Sequence, residues 1–255
     1  MSRKLGVKFF AKIKKCTGVY RFFYATIEMQ GKGGKNLEND LTITDLINKR
    51  KTLWQKHGDI CLDKELVEAI ADKILDTEEI RNEVRKNPFL LIEACFTIVD
   101  KKRSSVPFFF NAVQRDFVEK LSTLGRKKPF FILKGRQQGF TTLISALMLS
   151  SAITQRNFSG FTLADRDDNT KAIFVDKAKF MYGALPERLK PTEKFNSVNE
   201  LYFERLNSSW RIASASSNVG RSRTLSFIHY SEVAFFKCHW LIYKNRLPRL
   251  RLKMR

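Results

Sequence analysis

The sequence is poor in the features that mark secreted, membrane-spanning or metal-stapled chains. It holds four cysteines in 255 residues. Cys16, Cys61, Cys95 and Cys238 lie far apart and form no C-x-x-C pair. That spacing argues against a disulfide framework and a structural zinc site, and predicts reduced thiols in an intracellular protein. No apolar run approaches the roughly 20 residues that cross a bilayer, so no membrane association is expected. The basic, aromatic start MSRKLGVKFFAKIKKCTGVYRFFY lacks a clean apolar centre and a small-residue cleavage site, which argues against a secretory signal. An organellar transit peptide is the remaining targeting alternative. Internal repeats and low-complexity tracts are absent. Acidic residues are scarce as well: 26 Asp and Glu stand against 47 Lys and Arg, a net charge of +21. An excess of that size favours a polyanionic partner, nucleic acid above all, because each neutralised phosphate releases counterions. A solvated basic surface with no particular ligand is the alternative.

What is present suffices for a globular chain. The 43% hydrophobic content supports a buried core, and the length allows one large domain or two small ones. Residues 1–35 read as basic and irregular, ending in GKGGK. Helical spacing predicts helices over Thr44 to Gln55 and Asp63 to Lys86, with Asp63 as N-cap and Asn87-Pro88 as the stop. Beyond residue 100 short apolar strands alternate with helices. The strands expected are Pro129 to Leu133, Phe158 to Ala164, Glu200 to Leu206, Trp210 to Ser214 and Leu225 to Tyr230. The helices expected are Val113 to Leu124, Thr141 to Thr154 and Asp168 to Tyr182. Such alternation predicts an α/β fold with a mostly parallel sheet covered on both faces. A boundary near residue 100 would separate a basic, helical region, 1–100, from an α/β domain, 101–255.

FILKGRQQGFTTLISALM, residues 131 to 148, is a near-match to a phosphate-binding loop, G-x-x-x-x-G-K-[ST]. Aligned on Gly139, Lys134 replaces the first glycine and Phe140 the lysine. Gly135 and Gly139 let the backbone bend around Gln137 and Gln138 so that successive N–H groups face an anion. The start of the following helix, at Thr141 and Thr142, adds its partial positive charge. Thr141 stands where such a loop ligates Mg²⁺. Lys134 and Arg136 are the available phosphate cations, and Arg136 can bind bidentately. An ordinary strand-to-helix turn would explain the glycines equally well. LSFIHYSE, 225 to 232, is an apolar strand ending in Glu232. A carboxylate there can orient the attacking water of a nucleotide hydrolase. Ser231 occupies the place where an Asp usually holds the metal through water, and it brings a hydroxyl without charge.

Taken in series, VPFFFNAVQRDF, KGRQQGFTT, LADRDDNTKAIFVDKAKFMYGALP, ELYFERLNSSWRIASASSNVGRSRTLSFIHYSE and FIHYSEVAFF resemble the ATPase domain of a tailed-phage terminase large subunit. The resemblance covers roughly residues 88 to 236. It implies a P-loop NTPase-type fold using ATP and Mg²⁺. Its implied roles are Lys134 and Arg136 on phosphates, Thr141 on the metal, Glu232 as catalytic carboxylate and Gln114 on the adenine edge. Arg221 and Arg223 would touch phosphate or DNA, unless they form a solvated basic turn. The implied partners are double-stranded DNA, a terminase small subunit and a capsid portal, in a homo-oligomeric ring within the cytoplasm of a bacterial host.

Family members continue into a coupling motif, further core strands and a nuclease domain. Here 23 residues follow Glu232, with many cations and no carboxylate; Cys238 and His239 among them read as bystanders. An incomplete core is therefore expected at the C-terminus, from a truncated or frame-shifted gene. Little turnover by the isolated chain and no DNA cleavage follow from that expectation. The alternatives are a helicase-like DNA-dependent ATPase and a non-catalytic, basic DNA-binding remnant of a prophage.

Overall fold

The computed structural model describes residues 10–15, 21–26, 42–124, 130–135, 137–214 and 224–232. The chain divides into two compact units, Met1–Leu41 and Thr42–Arg255. In the first, β1 (Phe10–Lys15) and β2 (Arg21–Thr26) pair antiparallel from Phe10↔Thr26 to Lys15↔Arg21. This stretch was expected to be irregular. The β-branched and aromatic residues of the two segments give them strand character that the interspersed lysines conceal.

The second unit opens with helices. Thr42 and Asp45 form a capping box at the start of α1 (Ile43–His57): the Thr42 hydroxyl accepts from the Asp45 amide at 3.2 Å, and the Asp45 carboxylate accepts from the Thr42 amide at 3.0 Å. Gly58, at φ +59°, ends the helix in the left-handed conformation. The single helix expected over Asp63 to Lys86 is two, α2 (Ile60–Asp76) and α3 (Glu78–Lys86), broken at Thr77, whose φ of −101° and ψ of 112° are extended. Asp63 is not the cap. Asp59 caps α2 by accepting from the Cys61 amide at 2.8 Å. Asp63 is instead buried against Arg50, which also donates to the carbonyls of Glu93 and Phe96. Asn87 ends α3, and Pro88 takes the first turn of α4 (Pro88–Cys95), which is buried along nearly its whole length.

The change to strands comes next. β3 (Thr97–Val99) and β4 (Ser105–Pro107) form a small antiparallel ribbon. There follow α5 (Ala112–Leu124), α6 (Phe140–Thr154), β5 (Ser159–Ala164) and α7 (Asp167–Ile173). A π-helical turn, Phe174–Lys179, joins α7 to the short α8 (Phe180–Gly183), within the one helix expected there. β6 (Glu193–Asn196), β7 (Glu200–Phe203), β8 (Ser208–Ser214) and β9 (Phe227–Tyr230) complete the described elements.

The main sheet runs β6-β7-β8-β5-β9. β5 is parallel to both β8 and β9, whereas β7 is antiparallel to β8 and β6 antiparallel to β7. The fold is therefore α/β with a mixed sheet, and the expectation of a mostly parallel one is corrected. The connections explain it: links of a few residues between β6, β7 and β8, the second holding the 3-10 turn Glu204–Leu206, cannot make the crossover that parallel neighbours require. The Pro129 to Leu133 strand is also corrected, since residues 130–135 form no strand and Leu133 is fully exposed. One hydrophobic core joins Ile43 and Ile70 of the helical region to Leu147, Phe174 and Trp210 at the sheet. The packing thus runs across residue 100, where helices give way to strands. Trp210 meets Phe174 edge-on at 5.2 Å and donates its indole N–H to Thr162 at 3.0 Å.

Candidate nucleotide site

α6 is the scaffold of the loop. It is apolar around its circumference, which demands burial on every side. From Leu143 to Ile153 every residue is buried, whereas Thr141 and Thr142 at its mouth are half-exposed. Its N-terminus has no side-chain cap and no acidic residue in the first turn. The first-turn amides lie outside the helical ladder, so their positive end is left for an external anion. The Gly139 carbonyl accepts the first helical bond from Leu143 at 3.0 Å.

Backbone geometry in the loop is unusual at two successive turns. Gln137 has φ +61° and Gly139 φ +74°. A side chain at Gly139 would bring a Cβ to 2.7 Å from the Gln114 Nε2 atom, so glycine is required there for conformation and for room. Gln114 is itself buried. Its Nε2 donates to the Gly139 carbonyl at 3.0 Å, and its Oε1 accepts from the Asn111 amide at 3.1 Å. Asn111 in turn accepts from the Gln114 amide at 2.9 Å and donates to the Gln138 carbonyl at 3.4 Å. The residue expected at an adenine thus links the start of α5 to the loop. One N–H and one lone pair of its carboxamide stay outside these bonds.

The acidic strand ends beside β5. Gly160↔Phe227 to Leu163↔Tyr230 fix the parallel register, and the Ser231 amide donates to the Leu163 carbonyl at 2.8 Å. Ser231 is buried, and Glu232, just beyond, is exposed with φ +57°. A non-glycine residue in that region is uncommon and is often retained at a functional site. His229, two residues before Ser231 on the same face of β9, is held neutral down to about pH 4, first by burial and second by the positive charge of Lys134. Lys134 is exposed in the approach to the loop.

Gly135, Gln137, Gln138 and Gly139 lead into Thr141 and Thr142 in the first turn of α6, and Gln114 is bonded to the Gly139 carbonyl. Arg136, Arg221 and Arg223 lie outside the described residues. Thr141, Ser231 and Glu232 offer oxygen donors only, the type that Mg²⁺ accepts while keeping several waters. No group of three or more His, Cys, Asp or Glu side chains suited to a metal occurs among the described residues. A small number of protein ligands beside phosphate oxygens is the usual arrangement for Mg²⁺. Sequence reasoning passed over Asp165, directly after β5. Its side chain is 3% exposed and accepts from Asn169 and from Arg166 Nε.

An open groove lies at the opposite end of β5, lined in part by Asn157, Lys194, Glu200, Tyr202 and Arg211. Among the described residues no predicted site residue lines it, and Lys194 pairs with Glu204 at 2.6 Å and Arg211 with Glu200 at 2.5 Å. No helix among the described residues is long and apolar enough to cross a membrane. In comparisons with known proteins, no family model and no curated protein matches this chain.

Proposed function

We propose that this chain is the ATPase portion of a DNA-packaging motor of the terminase large-subunit type, hydrolysing ATP with Mg²⁺ to move double-stranded DNA. The observation that carries the reading is the glycine-bent turn at the uncapped start of α6, with Gln137 at φ +61° and Gly139 at φ +74°. The same α/β unit holds β9, which runs into Ser231 and into Glu232 at φ +57°.

In this reading the amides from Gly135 to Thr141 hold the phosphates, and Lys134 and Arg136 offset their charge. Gln114 keeps the turn in shape and is the residue nearest in kind to an adenine reader. Glu232 orients a water for attack on the terminal phosphate and takes its proton. Bound Mg²⁺ would neutralise phosphate charge, held by Thr141 and, through water, by Ser231. Preorganised donors of this kind favour the charge that develops in the transition state.

The basic balance supports a DNA substrate. Met1–Leu41 carries nine Lys and Arg against three Asp and Glu, and residues 233–255 carry seven against none. Contacts made mainly through those segments would fall on phosphates and be indifferent to sequence, as a motor tracking any genome requires.

The test is binding of a fluorescent ATP analogue to the full chain, with Thr141→Ala, Arg136→Ala and Glu232→Gln compared. Glu232→Gln should bind the analogue as the parent does and lose whatever hydrolysis the parent shows. Equal binding by the parent and the Arg136→Ala and Thr141→Ala variants would refute the site. Salt-sensitive duplex binding without any nucleotide binding would favour the non-catalytic DNA-binding alternative.

A further inference from the structure

We infer that Asp165 supplies the negative charge that Ser231 does not bring to the cation side of this site. The inference rests on the nucleotide-site reading above and deepens it.

β5 and β9 are parallel neighbours, in register from Gly160↔Phe227 to Leu163↔Tyr230. Asp165 and Glu232 each stand two residues beyond the last pair, so these neighbouring strands carry a carboxylate at the same end of the sheet. The residue before each carboxylate is small and buried: Ala164, the last of β5, and Ser231, the first after β9. The sequence therefore has an acid at the right edge, moved one strand across from where a metal-holding Asp would stand beside Glu232.

Asp165 is built to stay charged there. Burial opposes its ionisation, but the side chain of Asn169 and then Arg166 more than offset it, and the acidity rises above that of an ordinary aspartate. A carboxylate that keeps its charge attracts a nearby cation. Asn169 donates to one of its oxygens and Arg166 to the other, and two carboxylate oxygens offer further lone pairs for metal-bound water. Arg166 is mostly exposed, so it does not seal the carboxylate from the strand ends. Capping of α7 does not by itself explain Asp165. Arg166 is the N-cap residue of that helix, and Asp165 lies outside it.

The experiment uses the full chain and a fluorescent ATP analogue, titrated in EDTA and then with Mn²⁺ as the probe ion. The quantity read is the gain in analogue affinity on adding Mn²⁺. Asp165→Asn should bind the analogue in EDTA no more weakly than the parent, yet lose about 10–100-fold of the Mn²⁺-dependent gain, the usual range for removing a group that supports a metal. Asp165→Asn with Ser231→Asp should recover most of that gain, because the charge returns at the neighbouring strand. Asn169→Ala, which keeps the carboxylate and removes its partner, should retain the gain to within a few-fold. A parent chain that binds no analogue under either condition would overturn the nucleotide-site reading itself. With binding intact, an unchanged Mn²⁺ gain in Asp165→Asn would overturn this inference alone. So would failure of Ser231→Asp to rescue, or an Asn169→Ala variant as impaired as Asp165→Asn, since both outcomes describe a merely structural residue.

Discussion

Replacing Gly139 by alanine perturbs the loop in two separable ways. Alanine at φ +74° costs about 1–2 kcal/mol for the left-handed conformation. The new Cβ would also fall 2.7 Å from Gln114 Nε2. Gln114 is 3% exposed and tied at both ends of its carboxamide, so it yields only by giving up the 3.0 Å bond to the Gly139 carbonyl. Losing that bond adds about 0.5–1.5 kcal/mol. The variant should therefore be less stable by about 1.5–3.5 kcal/mol in total, read from urea unfolding at constant slope. The double-mutant cycle with Gln114→Ala isolates the second part. In the Gln114→Ala background the clash and the bond are already gone, so Gly139→Ala should cost only the conformational part. Identical penalties in the two backgrounds would refute the coupling of α5 to the loop. A Gly139→Ala variant as stable as the parent would refute the left-handed geometry as well.

Other predictions concern other parts of the molecule. Asp63→Ala should destabilise by about 3–5 kcal/mol in urea unfolding, because it strands the fully buried Arg50 guanidinium; a loss below about 1 kcal/mol would contradict the buried pair. His229 titrates near 4 in the fold and near 6.5 when unfolded, so the unfolded chain binds more protons between those values. Stability from this group is complete above about pH 6.5 and falls as the pH drops towards 4. Comparing urea midpoints across that window, His229→Asn should show a smaller acid loss than the parent. Arg136→Ala should weaken ATP-analogue binding by about 1.5–3 kcal/mol, the scale of a hydrogen bond to a charged group. If Lys134→Ala weakens it and Arg136→Ala does not, the phosphate cation is Lys134. Duplex DNA affinity should fall steeply with salt and show no preference among sequences, by fluorescence anisotropy; a flat salt response would contradict phosphate contacts.

Elements whose signals are local were legible in the sequence. α1, α5 and α6 stand within two residues of their expected limits because apolar spacing and a clear start coincide in each. The break at Thr77 was not legible, since Ile74, Ile80 and Val84 continue an apolar pattern through it and all three are buried. Asp63 resembled a cap because a cap and a buried ion partner are the same residue type, and Arg50 is thirteen positions away. β6 was missed because EKFN has no apolar alternation, being held by pairing with β7. The Phe130 to Leu133 run has strand composition, yet composition cannot provide a neighbouring strand to pair with. At the site, the glycines and Glu232 were visible as a motif. The bond between Gln114 and Gly139 spans 25 positions, and the placing of Asp165 and Glu232 at the same end of neighbouring strands follows from strand register. Neither relation is written in local sequence.

The central claim is that the loop at the head of α6 and the end of β9 form one nucleotide site. Hydrogen exchange of the full chain, with and without an ATP analogue and Mg²⁺, addresses it directly, because it reports amide by amide where ligand slows opening. Protection should appear together at the amides of Gly135 to Thr142 and at Ser231 and Glu232. Protection of the loop without β9, of neither region, or only around the groove at the other end of β5 would contradict the account.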